Sequence, residues 1–344
     1  MAKLKAHLNL HVLVSASTLA SSLVRSAVCV LILMPVAAQT ASWNRQQVST
    51  LAWLHAVFFL DQNSGWAAGS RGTLLRTLDG GQSWQPRSAS TSDQVRDIFF
   101  LDEQDGWLVC EANIYELKTK EEPRAYLMRT TDGGYHWKRV EVKGFDVDSI
   151  LVRAMFSRGG RGWAFGEAGA IYTTRDAGET WSRLQSPTRH LLLGGVFIDE
   201  DRGWIVGAGA TIIQTSDGGD TWYQSRLPQV EKTVRFTSAS FIDNRLGWAV
   251  GSGGSVYQTT NGGRTWQQQA SGIDVDLFDV KFLDAREGWA VGAEGTIIHT
   301  VDGGAHWTAE RRVTEHPLER IFFTDKTHGW AVGFGGVVLG YSRS

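Results

Sequence analysis

The sequence predicts an all-β fold, a seven-bladed β-propeller of four-stranded blades in which the N-terminal strand closes the last blade. Gly-Trp pairs recur seven times, and the tryptophans that end them are Trp66, Trp107, Trp163, Trp204, Trp248, Trp289 and Trp330. Four of the six spacings between these tryptophans are 41 residues. A second motif, Ser/Thr-x-Asp/Asn-Gly/Ala-Gly-x-x-Trp, follows six of the seven pairs. A period of about 41 residues, with roughly four strands per unit, is typical of propeller repeats.

The sixth unit shows how one repeat is expected to fold. Its first segment, LFDVKFLD (277–284), alternates and is rich in β-forming residues, which predicts a strand, named A. WAVG, TIIHT and HWTAER follow as strands B, C and D, joined by the turns AREG, AEG and VDGG. Strand B is apolar on both faces because neighbouring blades cover both of them. The glycine in AEG allows a positive φ in the tight B–C turn.

The second motif is predicted to be the turn between strands C and D, named the aspartate turn. The acidic side chain accepts hydrogen bonds from the backbone N–H groups just after it, and the glycines adopt conformations that other residues resist. Six copies spread around a ring cannot form one active site, so a structural role is predicted for Asp79, Asp132, Asp176, Asp217, Asn261 and Asp302. His136 and His306 precede the last tryptophan of their motifs, in the Ser/Thr position, and are interpreted as turn residues.

The seventh unit ends after strand C and therefore needs its fourth strand from elsewhere. The segment SWNRQQ (42–47) resembles the strand D sequences TWQQQ and TWYQS of earlier units. We expect the segment around Trp43 to pair with strand C of the last blade. Such pairing closes the ring and leaves no open sheet edge.

Residues 1–38 are predicted to be a signal peptide and residues 39–344 the propeller. Lys3, Lys5 and Arg25 precede the apolar run AVCVLILMPVAA (27–38), which has about the length of a signal-peptide core and ends in small residues. A retained anchor or a start assigned too early is the alternative. The protein is therefore expected to be exported to the periplasm or thylakoid lumen, or secreted.

Composition argues against several classes of function. A formal net charge of −2 gives no broad basic surface, so no nucleic-acid partner is expected. Cys29 lies in the predicted signal, which leaves Cys110 alone and predicts a buried thiol without a disulfide. The nine histidines show no metal-ligand spacing, and no phosphate-binding loop occurs, so neither a metal nor a cofactor is expected. A monomer is expected.

The strand order assigns the loops to two faces. B–C turns and D–A connections share one, the upper face, and A–B turns and aspartate turns share the lower one. Unit 2 carries about 12 extra residues between strands B and C, including Lys118, Lys120 and Arg124, as repeat insertions often do on a binding face. Extra residues also occur in the D–A connections near VKGFDVDS and LPQVEKT. This clustering on the upper face indicates either a binding face or neutral insertion at a tolerant surface.

The start of strand A is predicted to face the mouth of the central channel. Aligning the units on Gly-Trp gives one column of residues, Ala56, Asp97, Arg153, Gly194, Ser238, Asp279 and Arg320. Asp97 with Arg153, and Asp279 with Arg320, are opposite charges on adjacent blades, and Arg96 and Glu319 lie beside the column. One interpretation is salt bridges between blades. The other is a polar mouth for a partner segment, where arginine would suit a carboxylate or a peptide terminus. The predicted partner-binding residues are Arg96, Asp97, Arg153, Asp279, Glu319, Arg320, Lys118, Lys120 and Arg124.

The unit GWAVGxxGTIxxTxDGGxTW, repeated seven times behind a predicted signal peptide, resembles the photosystem II stability/assembly factor family over residues 42–342. The resemblance implies a seven-bladed propeller on the lumenal or periplasmic side of a membrane. It also implies a non-enzymatic scaffold that binds an early reaction-centre subunit or another membrane-protein assembly intermediate, with photosystem II as the partner in a photosynthetic host. The family's binding surface is arginine-rich, and the arginines near the predicted mouth in this sequence are Arg96, Arg153 and Arg320.

The aspartate turn also resembles the Asp-box of sialidases, which gives an enzyme alternative. A sialidase-like glycoside hydrolase needs an arginine triad, a Tyr/Glu nucleophile pair and an acidic proton donor. Arg96, Arg153 and Arg320 are the arginines available for such a triad, whereas Tyr115, Tyr126 and Tyr257 have no suggestive paired glutamate. A glycan or peptide binder without catalysis is the third possibility.

Overall fold

A computed structural model describes residues 41–117, 119, 122–140, 142, 149–157, 159–227 and 233–343. Within them, 28 strands form seven four-stranded antiparallel sheets, which confirms the predicted seven-bladed propeller. The predicted signal peptide, residues 1–38, lies outside the described residues and stays a prediction. Among the described residues, no helix has the length and apolar character needed to cross a membrane.

The first four blades follow one another along the chain, each with its strands in the order A, B, C, D. Blade 1 consists of β2 (Leu54–Phe59), β3 (Gly65–Gly69), β4 (Thr73–Thr77) and β5 (Gln85–Ser88). Blade 2 consists of β6 (Gln94–Phe100), β7 (Gly106–Glu111), β8 (Ala125–Thr130) and β9 (Lys138–Val140). Blade 3 consists of β10 (Leu151–Phe156), β11 (Gly162–Gly166), β12 (Ile171–Thr174) and β13 (Ser182–Leu184). Blade 4 consists of β14 (Leu192–Phe197), β15 (Gly203–Gly207), β16 (Thr211–Thr215) and β17 (Tyr223–Gln224).

The last three blades complete the ring. Blade 5 consists of β18 (Phe236–Phe241), β19 (Gly247–Gly251), β20 (Val256–Thr259) and β21 (Gln267–Gln269). Blade 6 consists of β22 (Leu277–Phe282), β23 (Gly288–Gly292), β24 (Ile297–Thr300) and β25 (Thr308–Ala309). Blade 7 consists of β26 (Leu318–Phe323), β27 (His328–Gly333), β28 (Val337–Arg343) and the N-terminal β1 (Ala41–Arg45). Short 3-10 turns join strands B and C at Ser70–Gly72, Glu167–Gly169, Ser252–Gly254 and Ala293–Gly295.

Strand A of every blade lies next to strand A of both neighbouring blades, so the seven A strands surround the channel. The antiparallel registers place the start of strand A beside the end of strand B, as Leu54 beside Gly69 shows. The end of strand A lies beside the start of strand B, as Phe59 beside Gly65 shows. The upper face therefore carries the start of each A strand and the B–C turns, and the lower face carries the aspartate turns.

The ring closes as predicted, because β1 pairs antiparallel with β28 as the fourth strand of blade 7. Trp43 lies opposite Tyr341 in this register and is only 6% exposed. Its ring meets Trp289 of blade 6 edge-on at 5.7 Å between centroids and Phe323 at 5.8 Å. The N-terminal strand thus joins the two ends of the described chain through one buried tryptophan.

The repeated tryptophans bind each blade to the next one. Trp248 of blade 5 stacks on Phe282, the last residue of strand A in blade 6, with centroids 3.4 Å apart. Its indole Nε1 donates to the carbonyl oxygen of Gly303 in the aspartate turn of blade 6, at 2.9 Å. Trp163 bonds the Gly218 carbonyl in the same way, at 2.8 Å. Trp66 and Trp107 also pack on the next blade, against Phe100 and Phe156, but their Nε1 atoms have no hydrogen-bond partner among the described residues, so the ring contact is what these pairs share.

Trp289 departs from this pattern because it faces blade 7, whose strands are not joined by an aspartate turn. Its centroid lies 5.7 Å from that of Phe323, the residue on which the pattern would place it. It stacks instead on His299 of its own blade, at 3.7 Å and 12°. The side chain of Trp43 from the N-terminal strand packs against its edge.

Hydrogen bonds within the aspartate turn match those expected from the sequence. In blade 4, the hydroxyl of Thr215 donates to Asp217 Oδ1 at 2.8 Å, and the backbone N–H of Thr221 donates to the same oxygen at 2.9 Å. In blade 6, His306 takes the Ser/Thr position, and its Nδ1 lies 2.7 Å from Asp302 Oδ2. The backbone N–H and the ring of His306 hold the pKa of Asp302 down at about 2.

Cys110 is fully buried in strand B of blade 2, as predicted. Burial, reinforced by the charge of Asp93, raises the pKa of its thiol to about 12. The thiol therefore stays protonated at neutral pH and packs as a small apolar group.

Candidate binding site at the channel mouth

The upper opening of the channel is a cavity of about 200 Å³, named the mouth. It is lined by His55, Arg96, Val152, Leu193, Arg235, Thr237, Phe278, Glu319 and Arg320. Most of these residues come from the start of strand A, which follows from the strand order. Side chains that are far apart in the sequence thereby converge on one opening.

Charged residues at the same strand position as Arg320 form a layer in the channel, and their ion pairing differs from the pairs between adjacent blades that the sequence suggested. Arg153 Nη2 of blade 3 lies 3.5 Å from Asp279 Oδ1 of blade 6, and both side chains are nearly buried. In the salt-bridge interpretation of the sequence, Asp279 pairs instead with Arg320, and Asp97 pairs with Arg153, each on the adjacent blade. The long arginine side chain reaches across the channel, a distance that an alignment of repeats does not show.

The carboxylate of Asp279 accepts hydrogen bonds from groups of several blades. Its Oδ1 accepts a hydrogen bond from the Ser238 hydroxyl at 2.5 Å, and its Oδ2 accepts one from the Ile321 backbone N–H at 3.1 Å. These bonds and the ion pair with Arg153 join blades 3, 5, 6 and 7 through one carboxylate. Among the four charged residues of the column, the structure thus shows one salt bridge, which crosses the channel and does not join adjacent blades.

Asp97 holds the corresponding position in blade 2. Its Oδ2 accepts a hydrogen bond from the backbone N–H of Ala154 in blade 3, at 3.2 Å. Burial raises the pKa of its carboxyl group, and the charges of Arg320 and Arg153 oppose that rise. The charges of both channel arginines therefore act on Asp97. The expected salt bridge between Asp97 and Arg153 is not among the ion pairs of the described residues.

Aromatic side chains narrow the channel below the charged layer. The ring of Phe58 lies 5.1 Å from that of Phe99 and 5.3 Å from that of Phe322, between centroids. These three residues lie on strand A of blades 1, 2 and 7. A ligand that enters from the upper face thus meets charged groups first and an apolar floor beneath them.

On the rim, Arg96 is already engaged by a carboxylate. Its Nε lies 2.5 Å from Glu111 Oε2. With its amide oxygen turned toward the rim, Gln94 accepts hydrogen bonds from Arg96 Nη1 at 2.9 Å and from His55 Nε2 at 3.0 Å. Arg96 and His55 are thus held in fixed positions at the edge of the mouth.

Arg320 differs from the other two predicted arginines of the mouth. Its hydrogen bond among the described residues goes from Nη1 to the carbonyl oxygen of Glu319, at 3.4 Å. Arg96 and Arg153 form salt bridges, whereas no described carboxylate lies within 4.0 Å of the Arg320 guanidinium. Arg320 is therefore the cation of the mouth best placed to bind a carboxylate from outside.

Glu319 contributes a half-buried acid beside Arg320. Its Oε1 accepts a hydrogen bond from Trp53 Nε1 at 3.0 Å. Burial raises the pKa of its carboxyl group, and the positive charge of Arg320 opposes the rise most strongly. Glu319 thereby fixes the position of the Trp53 ring at the rim.

Of the three basic residues predicted from the unit 2 insertion, the structure describes Arg124. Lys118 and Lys120 lie outside the described residues, as do residues 141, 143–148 and 228–232, which fall in the two long D–A connections. Arg124 Nη1 lies 3.7 Å from Glu167 Oε2, in the B–C turn of blade 3. Arg124 thus links the insertion to the neighbouring blade and is not part of the mouth lining.

Sequence reasoning did not select Trp53, His55, Gln94 and Glu111. One signal was present for Trp53, because Trp43 and Trp53 are the only two of the 15 tryptophans outside the repeated motifs. Glu111 extends strand B of blade 2 by one residue beyond the bounds of most other B strands. His55 and Gln94 lie outside the aligned column, so their contribution to the mouth becomes visible only in the fold.

The lowered pKa of His55 is expected to make the stability of the protein depend on pH. Burial, with the charges of Arg96 and Arg320, lowers the pKa of His55 from 6.5 to about 3. The unfolded chain binds a proton below pH 6.5 and the folded chain does not, so the free energy of unfolding falls as the pH drops from 6.5 toward 3. The slope contributed by one such group is at most about 1.4 kcal/mol per pH unit.

Replacing His55→Gln should therefore remove part of the stability lost between pH 7.5 and pH 5. Urea denaturation of both proteins at the two pH values measures this difference. His190→Gln, at an exposed histidine, is the matched control and should keep the wild-type slope. Equal slopes for wild type and His55→Gln would show that His55 is not held neutral.

The fold and the mouth define a repeat protein of the seven-bladed propeller class with a charged cavity at the upper end of its channel. In the described part of the chain, no group of three or more His, Cys, Asp or Glu side chains is arranged to hold a metal ion. The chain belongs to the photosynthesis system II assembly factor YCF48 family, whose model matches residues 35–123, 90–194, 184–272 and 268–342. A search of curated protein sequences found no match.

Solved structures of the same fold include two structures of YCF48. YCF48 from Cyanidioschyzon merolae is 22% identical, covers 88% of this chain and 99% of its own, and has a TM-score of 0.71. A structure of YCF48 bound to D1 peptide is 21% identical, covers 88% of this chain and 97% of its own, and also has a TM-score of 0.71. The GH74 xyloglucanase from Xanthomonas campestris is 13% identical over 87% of this chain and 53% of its own, with a TM-score of 0.67. At these identities the likeness concerns the fold.

Proposed function

We propose that this protein is a non-enzymatic scaffold that holds a carboxylate-bearing segment of a membrane protein, or of its assembly intermediate, in the mouth on the upper face. The observation that carries this proposal is Arg320, a guanidinium at the mouth without a carboxylate partner among the described residues. Arg96 and Arg153 already form salt bridges, which leaves the guanidinium of Arg320 available to pair with a carboxylate of the ligand.

Family membership supports the kind of partner. The similar YCF48 structure is bound to a D1 peptide, and a peptide can supply a carboxylate for Arg320. We extend this to the present chain, with photosystem II as the complex if the host is photosynthetic. The predicted signal peptide at residues 1–38 supports an exported scaffold in the lumen or periplasm, acting as a monomer.

The hydrolase alternative has less support from the site. Two of the three arginines available for a sialidase-like triad are engaged, Arg96 by Glu111 and Arg153 by Asp279. The hydroxyl of Tyr126 donates to Asp93 Oδ2 at 2.6 Å, and burial raises the pKa of this hydroxyl, so it is a poor nucleophile. These contacts favour binding without catalysis.

The scaffold proposal is tested by capture of the tagged protein's partner from membranes of its own host. Wild type and Arg320→Glu are compared with Arg264→Glu, which makes the same charge change at an exposed position in the aspartate turn of blade 5 on the lower face. We expect one membrane-protein complex to be enriched by wild type and by Arg264→Glu, and at least tenfold less by Arg320→Glu. Truncating or reversing a charged interface partner commonly costs about 2–5 kcal/mol, which allows a loss of this size. Enrichment that is equal for all three, or absent for all three, would contradict the proposal.

A further inference from the structure

Trp53 is the one tryptophan whose position neither the repeat nor the ring closure explains. It stands directly before strand A of blade 1, at a position where the other blades carry Gln94, Ile150, Leu191, Arg235, Asp276 and Pro317. Its side chain is 39% exposed on the upper face. Partly exposed tryptophans with a bonded N–H are typical of recognition surfaces.

The Trp53 ring is held in one position. Its Nε1 donates to Glu319 Oε1 at 3.0 Å, and its backbone N–H donates to the Ser70 hydroxyl at 3.1 Å. The ring meets Phe334 edge-on, with centroids 5.4 Å apart, and lies 5.1 Å from the ring of His55. An aromatic ring fixed in advance loses little conformational entropy on binding.

Phe334 is a second departure from the repeat at the same place. It occupies the first position of the B–C turn in blade 7, where the comparable turns carry Ser70, Glu167, Ala208, Ser252 and Ala293. Its side chain is 43% exposed, and that of neighbouring Leu51 is 85% exposed. Trp53, Phe334 and Leu51 line one cavity of about 720 Å³, named the aromatic groove.

The aromatic groove and the mouth adjoin each other. His55 and Arg96 line both cavities, so the two cavities are continuous enough for one ligand to occupy both. Arg71 also lines the aromatic groove, and Arg320 lines the mouth. The joint surface thus combines an apolar wall with cations along its length.

From this arrangement we infer that the aromatic groove is a specificity subsite, which takes a bulky apolar side chain of an extended peptide whose carboxylate lies at Arg320. The inference rests on the proposed function, since it assumes that the mouth binds a carboxylate. An extended peptide advances about 3.3 Å per residue. An acidic and an apolar side chain a few residues apart in one peptide can therefore reach the mouth and the aromatic groove together. The charges of the groove and mouth favour an acidic segment over a neutral or basic one.

The test uses fluorescently labelled octapeptides of serine and glycine that carry one aspartate and one phenylalanine, at spacings of one to five residues. Matched probes replace the phenylalanine by alanine or the aspartate by asparagine, and fluorescence anisotropy measures their Kd values. The protein variants are Trp53→Ala, Phe334→Ala, the conservative Trp53→Phe and Arg320→Glu. Tyr223→Ala is the control, because Tyr223 is 61% exposed on the outer strand of blade 4.

At one or more spacings, we expect the phenylalanine probe to bind the wild type about tenfold more tightly than its alanine match. Trp53→Ala and Phe334→Ala should lose that preference and keep the preference for aspartate over asparagine. Trp53→Phe should restore part of it, and Tyr223→Ala should change neither preference. A phenylalanine preference that is absent from the wild type, or that survives Trp53→Ala and Phe334→Ala, would overturn the inference.

Failure of the proposed function gives a different result. In that case, aspartate and asparagine probes bind the wild type equally, and Arg320→Glu has no effect on either. A cello-oligosaccharide is included as a probe for a glycan occupant. Binding of this sugar that depends on Trp53, with no binding of the peptides, would overturn the inference in favour of a glycan.

Discussion

Replacing Trp43→Ala is expected to lower the free energy of unfolding by about 3–5 kcal/mol, the range typical of a large aromatic side chain removed from a core. Trp43 is 6% exposed and packs against Trp289, Phe323 and Tyr341 from a strand that is not contiguous in sequence with the rest of its blade. Its removal leaves a cavity and also weakens the pairing of β1 with β28. Because that pairing closes the ring, the loss opens a sheet edge as well as a core.

Urea denaturation followed by tryptophan fluorescence and circular dichroism measures this effect. Trp53→Ala is the matched control, because it removes the same side chain from a position that is 39% exposed. We expect a loss several times smaller for the control. Similar denaturation midpoints for the two variants would contradict the claim that β1 closes the propeller.

Replacing Asp279→Ala is expected to lower the free energy of unfolding by a similar amount, about 3–5 kcal/mol. The substitution leaves the buried guanidinium of Arg153 without its paired carboxylate. The substitution removes the partner of Arg153 and also leaves the Ser238 hydroxyl and the Ile321 N–H without their acceptor. The double variant Arg153→Met/Asp279→Leu removes both charges together. We expect it to be more stable than Asp279→Ala, since replacing a buried ion pair by apolar groups is often close to neutral.

A double-mutant cycle with Arg153→Met, Asp279→Leu and their combination isolates the coupling between the two side chains. Equilibrium denaturation at low and high salt supplies the free energies. A coupling energy near zero would show that the ion pair across the channel does not form. Arg264→Glu, at an exposed position on the lower face, should leave the stability nearly unchanged.

The fold could be predicted from the sequence because a repeated residue makes the same kind of local contact in most of the blades. Trp248 and Phe282 illustrate this, since a stack at 3.4 Å between adjacent blades fixes their spacing in every unit that repeats it. The resemblance of the segment around Trp43 to strand D was likewise enough to predict the ring closure. Because the motif repeats, a short sequence pattern was enough to predict the whole propeller.

The candidate site was predicted less completely for the same reason. The aligned column identified Asp97, Arg153, Asp279 and Arg320, but it could not show that the Arg153 side chain spans the channel to Asp279. Trp53 and the residues that hold it belong to no repeated column, so their convergence depends on the closed ring. Single departures from the repeat, such as Phe334, become informative only when the fold shows that they share one groove.

The central claim is that the partner binds at the mouth on the upper face, and site-specific photo-crosslinking tests it most directly. The photoreactive residue p-benzoylphenylalanine is placed at Leu193, in the lining of the mouth, or at Val301, which is 56% exposed in an aspartate turn on the lower face. Each protein is irradiated in membranes of its own host, and the crosslinked chain is identified by mass spectrometry. We predict one membrane-protein crosslink from position 193 and none from position 301. A crosslink to the same partner from position 301, with none from position 193, would contradict the account.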